Sequence, residues 1–500
     1  MSPAQPEALG GSPPSEATEP KPASPAMTAR IAAAIRRSPT VGYALAGFAV
    51  STLTVLAGGR TGAVRVTTPL STWFGVLSRH GYGPGASPVP GLLLMAGLIG
   101  LALLWLSLVR RPHPAVRTER DVWALAGAWA LPFVLGPPLL SSDVYTYAAQ
   151  GLLVGHGLDP YSVGPSALGH GSAVAAVDPA WRSVPSPYGP LATWFQHFSV
   201  VAGGGTPLGA VIVMRLAAVA SVVAIGLLAA DLAGSRRVPV LALTVLNPLV
   251  LVQVISAEHL EGVFCALLLG ALVARRHGNR PLGIVLACAA AAIKAPGLVA
   301  VLALVAWQRP GPRMWLDGLR DAAVAVAAGI GLTMLVPHGW GWIPALNTPA
   351  LGYTPAAPAS LIGDLFKPIV QPASFDDLSM AGRTAALLAA GCVVAYLTAT
   401  AQRRALERTV GFGLIAVALL SPVIYPWYLL WGVVCLAPSA QGRLRAMLVL
   451  LCASGTVMAA PGLPRVAADI IGLVVAVGVL MILASSDARY ARMARVLMAR

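Results

Sequence analysis

Apolar stretches long enough to cross a bilayer recur along almost the whole of this 500-residue chain, and they leave few folds open to it. A hydrocarbon core takes about 20 apolar residues of helix. Inside it every backbone N–H and C=O must be satisfied within the segment or a closed barrel. The runs lack the in–out alternation of barrel strands, so they read as helices. Only 11% of residues are charged and 57% are hydrophobic, where ordinary globular chains carry about 25% charge. The chain therefore reads as an all-α polytopic membrane protein.

The expected spans are 41–59, 90–109, 121–140, 207–230, 238–256, 259–275, 281–293, 296–307, 320–337, 381–402, 409–421, 425–437, 445–460 and 466–485. That gives about 12–14 transmembrane segments. The pairs 281–293/296–307 and 409–421/425–437 are short enough to be half-depth hairpins buried in protein. Residues 1–40 are expected to form a disordered cytoplasmic tail, since Met1 to Pro25 is rich in Pro, Ala, Ser and Glu and has no apolar signal-peptide core. Residues 41–485 form the membrane domain and 486–500 a basic cytoplasmic tail. Two larger external loops are expected at about 141–206 and 338–380.

The net charge of +15 does not indicate a nucleic-acid partner, because the cations are spread through short connections between apolar runs. With the N-terminus inside, the inward connections collect Arg110/Arg111/Arg117/Arg120, Arg236/Arg237, Arg275/Arg276/Arg280, Arg403/Arg404/Arg408 and Arg443/Arg445. The scheme closes only if 281–307 turns around near Lys294, and it leaves both termini cytoplasmic. The five cysteines have no CxxC or zinc-type spacing, so neither a disulfide framework nor a metal cluster is expected.

On that drawing the scarce polar groups gather at the outward ends of their segments. Asp143 stands where an apolar run meets water, either as a helix cap or as a general base on a sugar hydroxyl. Lys294 lies in Ala292-Ile293-Lys294-Ala295-Pro296, where burying an ammonium costs roughly 3 kcal/mol even on insertion scales. It either snorkels or holds an anion. Arg215 is an interfacial anchor or, with Lys294 and His259, part of a phosphate clamp. His259, between Glu258 and Glu261, has no second histidine at metal spacing. Tyr425-Pro426-Trp427-Tyr428 is an interfacial belt or an apolar platform for a sugar or lipid. No P-loop, dinucleotide fingerprint or nucleophile motif is present.

Ser141-Ser142-Asp143-Val144-Tyr145-Thr146-Tyr147, then Gly157-Leu158-Asp159-Pro160-Tyr161, Trp181-Arg182 and Pro187-Tyr188-Gly189-Pro190 resemble the first external loop of a known family. These are the actinobacterial polyprenyl-phosphomannose-dependent alpha-1,6-mannopyranosyltransferases, integral-membrane glycosyltransferases of the GT-C class. Asn247-Pro248, the His259 segment, Lys294-Ala295-Pro296 and Tyr425-Pro426-Trp427-Tyr428 recur in matching order, so the resemblance covers most of the chain after about residue 40. One departure stands out. The family usually reads His-Asn-Asp where this chain reads His259-Leu260-Glu261.

The resemblance implies a GT-C-type bundle that transfers mannose from polyprenyl-phosphomannose to the alpha-1,6-mannan of lipomannan-type glycans outside the plasma membrane. The class places its catalytic acid in the first external loop, which maps to Asp143. Lys294, Arg215 and His259 are then expected at the donor phosphate. Tyr145, Tyr147, Tyr161, Arg182, Tyr188 and Trp427 are expected around the sugar and lipid. No cofactor is required by this chemistry, and a divalent metal is possible without being indicated. The expected partners are membrane lipids, the lipid-linked donor and a mannan acceptor. Two alternatives stay open: another polyprenyl-phosphate-sugar transferase, such as an arabinosyltransferase, and a flippase or transporter for lipid-linked sugars.

Overall fold

The computed structural model describes residues 38–61, 88–110, 112–308, 311–346 and 372–458, together with four isolated positions. Side chains of 372–379 are outside this set. Among the described residues the chain is helical, with no strand. Most of the two tails, most of the second external loop and the 466–485 span lie outside the described residues.

Among the described residues four helical stretches are long and apolar enough to cross a membrane. They are α1 (Pro39–Gly58), α2 (Val89–Val109), the stretch Pro207–Thr244 and the Met380–Ala399 part of α12. The third breaks at Gly234, whose φ of +60° turns the chain, so that α6 (Pro207–Ala233) ends there and α7 (Arg237–Thr244) packs back along it. The other helices include α3 (Glu119–Leu135), α4 (Asp143–Gly155), α5 (Pro190–Ala202), α8 (Glu261–Arg276), α9 (Arg280–Ile293), α10 (Leu298–Ala306) and α11 (Met314–Thr333). They continue with α12 (Pro372–Ala399), α13 (Leu406–Leu420), α14 (Leu429–Leu436) and α15 (Gly442–Met458). Among the described residues several of the apolar runs fold as short helices joined at breaks.

The side-chain distribution is that of a lipid-facing bundle. On α6 the buried face carries Ala210, Ala218, Gly226, Ala229 and Ala233, while Ile212, Leu216, Val223 and Leu227 point outward. Small residues inside let helices approach closely, and large apolar residues outside suit hydrocarbon. Water would favour the reverse arrangement. The protein is a membrane protein.

Two breaks position the site. Pro248 to Ser256 ends in a π turn, and the chain then bends by 117° into α8. Glu258, in the bend, has φ +59°, a left-handed conformation that costs a non-glycine residue energy and often marks functional sites. The second break divides α9 from α10 at Lys294, which is extended (φ −152°, ψ 133°) before Pro296. This is the expected turn-around: a residue before or near Pro leaves the helical region, and Pro removes a donor.

The first external loop, expected as a polar connection, is largely folded. It is built from α4, a short helix at Ser172–Ala176 and α5. Gly151 lets α4 sit directly on α5, since a Cβ there would lie 2.3 Å from the Gln196 carbonyl oxygen. Gly189 does the same against Ala292, and its N–H donates to the Ile293 carbonyl at 3.0 Å. The Pro187–Pro190 turn is thereby fastened one residue before Lys294.

Candidate active site

Asp143 is the first residue of α4, after Ser142 at the cap position. Its side chain does not cap the helix; instead its own N–H donates to Ser141 Oγ at 3.1 Å. The partial positive charge of a helix N-terminus favours a carboxylate here. The side chain is 24% exposed, and its Oδ2 lies 3.5 Å from Nε2 of the buried His259. Burial alone would raise the Asp143 pKa. The neighbouring His259 ring and the charge of Lys294 outweigh it and leave the carboxyl below its ordinary value of 3.8.

His259 is held from two sides. Its Nδ1 lies 3.0 Å from the Gln253 carbonyl oxygen, freed by the π turn, which also accepts the His259 backbone N–H. Its ring stacks on Trp427 at 3.9 Å, and Trp427 stacks on Tyr425 at 4.5 Å. The Tyr425–Tyr428 segment is therefore a wall of the site, whatever it also does at a membrane border.

Lys294 is held by one acid and three rings. Nζ donates to Glu261 Oε1 at 2.7 Å and lies 4.3 Å from the ring centre of Tyr428, 5.2 Å from Trp431 and 5.4 Å from Tyr188. A desolvated cation over such faces gains up to about 2 kcal/mol. Tyr188 is in turn fixed by the Tyr147 hydroxyl at 2.9 Å. The lysine does not snorkel; it is caged, with 14% of its side chain exposed.

Asp143 and Lys294 line one cavity of about 490 Å³. Tyr147, Tyr188, Trp181 and Trp427 also line it, and an apolar wing runs between α10, α12 and α13 past Leu302, Leu387 and Val394. Leu302 and Leu387 are half exposed on the outer surface of the described bundle. The arrangement sets a carboxylate, a cation and aromatic ring faces around one space that opens at an apolar surface.

The remaining expected residues sit elsewhere. Arg215 is fully engaged: Nη2 meets Glu258 at 2.5 Å, and the guanidinium donates to the carbonyls of Phe133, Val134, Gly136 and Ser256. Those at 133–136 are end groups of α3, which a helix leaves without partners and which a cation satisfies well. With its donors spent on these partners, Arg215 braces α3, α6 and the bend and does not line the cavity that Lys294 faces. Arg182 likewise ties its own loop, donating to the Val177 and Ala175 carbonyls at 3.0 Å each. Tyr161 donates to or accepts from Thr193 at 2.9 Å behind the cavity, and Tyr145 is buried near the Arg215–Glu258 pair. His259 touches Asp143 rather than presenting its ring to the cavity.

Sequence reasoning passed over Glu261 and Trp431. Glu261 sits two residues after His259, where a first-turn acid reads as helix-end charge. Trp431 is three to four residues beyond Trp427 and Tyr428, the spacing that puts side chains on one helix face.

The model of the "Alpha-(1->6)-mannopyranosyltransferase, N-terminal domain" family matches residues 44–309, and that of the "MptB C-terminal domain" matches 375–487. Alpha-(1->6)-mannopyranosyltransferase A of Mycobacterium tuberculosis is 30% identical over 81% of this chain and 81% of its own length. Alpha-(1->6)-mannopyranosyltransferase B of Corynebacterium glutamicum is 30% identical over 70% of this chain and 63% of its own. No solved structure matches the chain. With a caged cation and a carboxylate facing one cavity in a bundle whose sequence matches along most of its length, the chain belongs to the alpha-(1->6)-mannopyranosyltransferase family of membrane glycosyltransferases.

Proposed function

We propose that the protein moves mannose from polyprenyl-phosphomannose onto a growing alpha-1,6-mannan at the outer face of the plasma membrane, with inversion at the anomeric carbon. The observation that carries this reading is that Asp143 and Lys294 line the same cavity, whose apolar wing reaches the exposed Leu302 and Leu387. A lipid-linked donor then lays its phosphate beside Lys294 and its prenyl chain along α10 and α12. The acceptor hydroxyl gives its proton to Asp143 as its oxygen attacks the anomeric carbon. The bond to phosphate breaks with its electrons on the departing oxygen, where Lys294 stabilises the charge. A phosphate leaves as an anion without a general acid, and no cofactor enters the scheme. Arg215 shapes the site from behind, and Tyr188, Tyr147 and Trp427 bound the sugar.

The proposed topology has both termini in the cytoplasm, the 1–40 and 486–500 segments as tails and 41–485 as the membrane unit. It is supported by how the connections meet. Arg236 donates to the Pro438 and Ala440 carbonyls, Arg445 to Val109 and Arg237 to Glu119, so connections expected on the inner side come together. Asp143, Lys294 and Trp427, expected on the other side, meet at the cavity.

Purified protein incubated with polyprenyl-phosphomannose and a short alpha-mannoside, followed by linkage analysis, tests the reading. The expected product carries a new alpha-1,6-mannose and free polyprenyl phosphate is released. Transfer from a polyprenyl-phosphate pentose in its place would make the protein an arabinosyltransferase-type enzyme. Movement of intact donor across vesicles without release of polyprenyl phosphate would make it a flippase.

A further inference from the structure

The hydrogens around His259 can be counted. A carbonyl oxygen only accepts, so the 3.0 Å contact to Gln253 requires a proton on Nδ1. A neutral imidazole would then present a lone pair from Nε2, 3.5 Å from the Asp143 carboxylate. Two acceptors would face each other, with Nε2 buried and otherwise unpartnered among the described residues. A proton on Nε2 removes the conflict and makes the ring an imidazolium. Its place suits a cation, because the ring lies flat on Trp427 at 3.9 Å. The local charge count agrees. Glu258 is paired with Arg215 and Glu261 with Lys294, so that among the described residues His259 is the one basic side chain within ion-pair distance of Asp143.

We propose that His259 is the positioning residue of the base: an imidazolium, clamped between the Gln253 carbonyl and the Trp427 ring, that orients the Asp143 carboxylate and holds it ionised. This inference rests on the proposed role of Asp143 in mannosyl transfer and takes His259 away from the donor phosphate. When the acceptor hydroxyl attacks, its proton ends on Asp143, the glycosyl–phosphate bond breaks with its electron pair on phosphate, and His259 keeps its own two protons throughout. Asp143 then returns its proton to water. The other ionisable groups facing the pair are Lys294 at the α9–α10 break, Tyr147 on α4, Tyr188 before α5, and Tyr425 and Tyr428 before α14. Lys294 favours the ionised carboxylate as well, so loss of His259 alone should shift the base without abolishing it.

The test is the pH profile of transfer by the full-length protein as wild type, His259→Phe and His259→Gln, each with detergent-extracted yield and thermal midpoint measured. Phe keeps a flat ring against Trp427 and removes both N–H groups; Gln restores one donor. The expected result is a wild-type acid limb below the ordinary carboxylate range and a limb raised by about one pH unit or more in the Phe variant. Its kcat should fall roughly tenfold or more, with donor KM within about threefold, and Gln should recover part of both changes. Three results would overturn the proposal: an unchanged limb with a lower rate, a limb moved to lower pH, or a raised donor KM with kcat intact, which would return His259 to the phosphate. Wild-type protein that transfers mannose while showing one of these sinks only the dyad. Wild-type protein that transfers no mannose sinks the parent reading along with it.

Discussion

Glu258 and Glu261 flank the same histidine, and each meets a cation that stands out in an apolar sequence, yet the two ion pairs do opposite things. Arg215–Glu258 is sealed, with side chains 6% and 0% exposed and the guanidinium closed by carbonyls. Lys294–Glu261 is nearly as buried, but its ammonium stands at a cavity wall and has only one hydrogen-bonded acid among the described residues. Both cations have been taken out of water. The difference lies in unspent donors and in what space they face. Depth in the membrane marks a residue as consequential; spare hydrogen-bonding capacity beside a cavity marks it as able to act on a ligand.

The comparison can be broken at the sealed pair first. Arg215→Met leaves Glu258 buried and several carbonyls open, and should cost about 3–5 kcal/mol, read as lost detergent-extracted yield and a lowered thermal midpoint. Arg215→Met with Glu258→Leu should recover much of that, because removing both partners is far cheaper than removing one. If Arg215→Met instead folds normally and only donor KM rises, the brace is wrong and Arg215 touches phosphate.

Lys294→Met also strands the buried Glu261 and should lower the thermal midpoint, but among molecules that fold, transfer should fall roughly a hundred-fold through loss of charge stabilisation on the departing phosphate. Glu261→Gln keeps a hydrogen-bond acceptor for Lys294 while removing a charge. It should change donor KM by only a few fold, and a loss as large as that of Lys294→Met would make the acid a participant in its own right. The smallest effect is expected from mild acid. A carboxyl held below its ordinary 3.8 is ionised at neutral pH, so the rate should be level from neutrality down to about pH 5 and fall only as pH drops through the lowered value. The same sign holds for stability: what the ionised Asp143 contributes is present above the unfolded value and disappears below the folded one. A limb near pH 6 would mean a different base.

Asp143 and Lys294 were legible because a charge next to apolar runs is costly enough to need a reason. The turn at Lys294 was legible too, since Pro296 and the charge balance of the connections both demand it. Arg215 was equally conspicuous and misleading: nothing in its own helix reveals that the ends of α3 and the bend before α8 come to meet it. That meeting depends on the π turn and the left-handed Glu258, which no local pattern announces. Trp431 was hidden among apolar neighbours, and the helices of the first external loop were hidden by its Pro, Gly and polar content.

The measurement closest to the centre of this account is mannosyl transfer by purified Asp143→Asn beside wild type, at matched folding as judged by thermal midpoint. The account expects the rate to fall by about a hundred-fold or more with donor binding retained, the span of a lost general base. An Asp143→Asn variant that works within a few fold of wild type would contradict it and move the base to another residue.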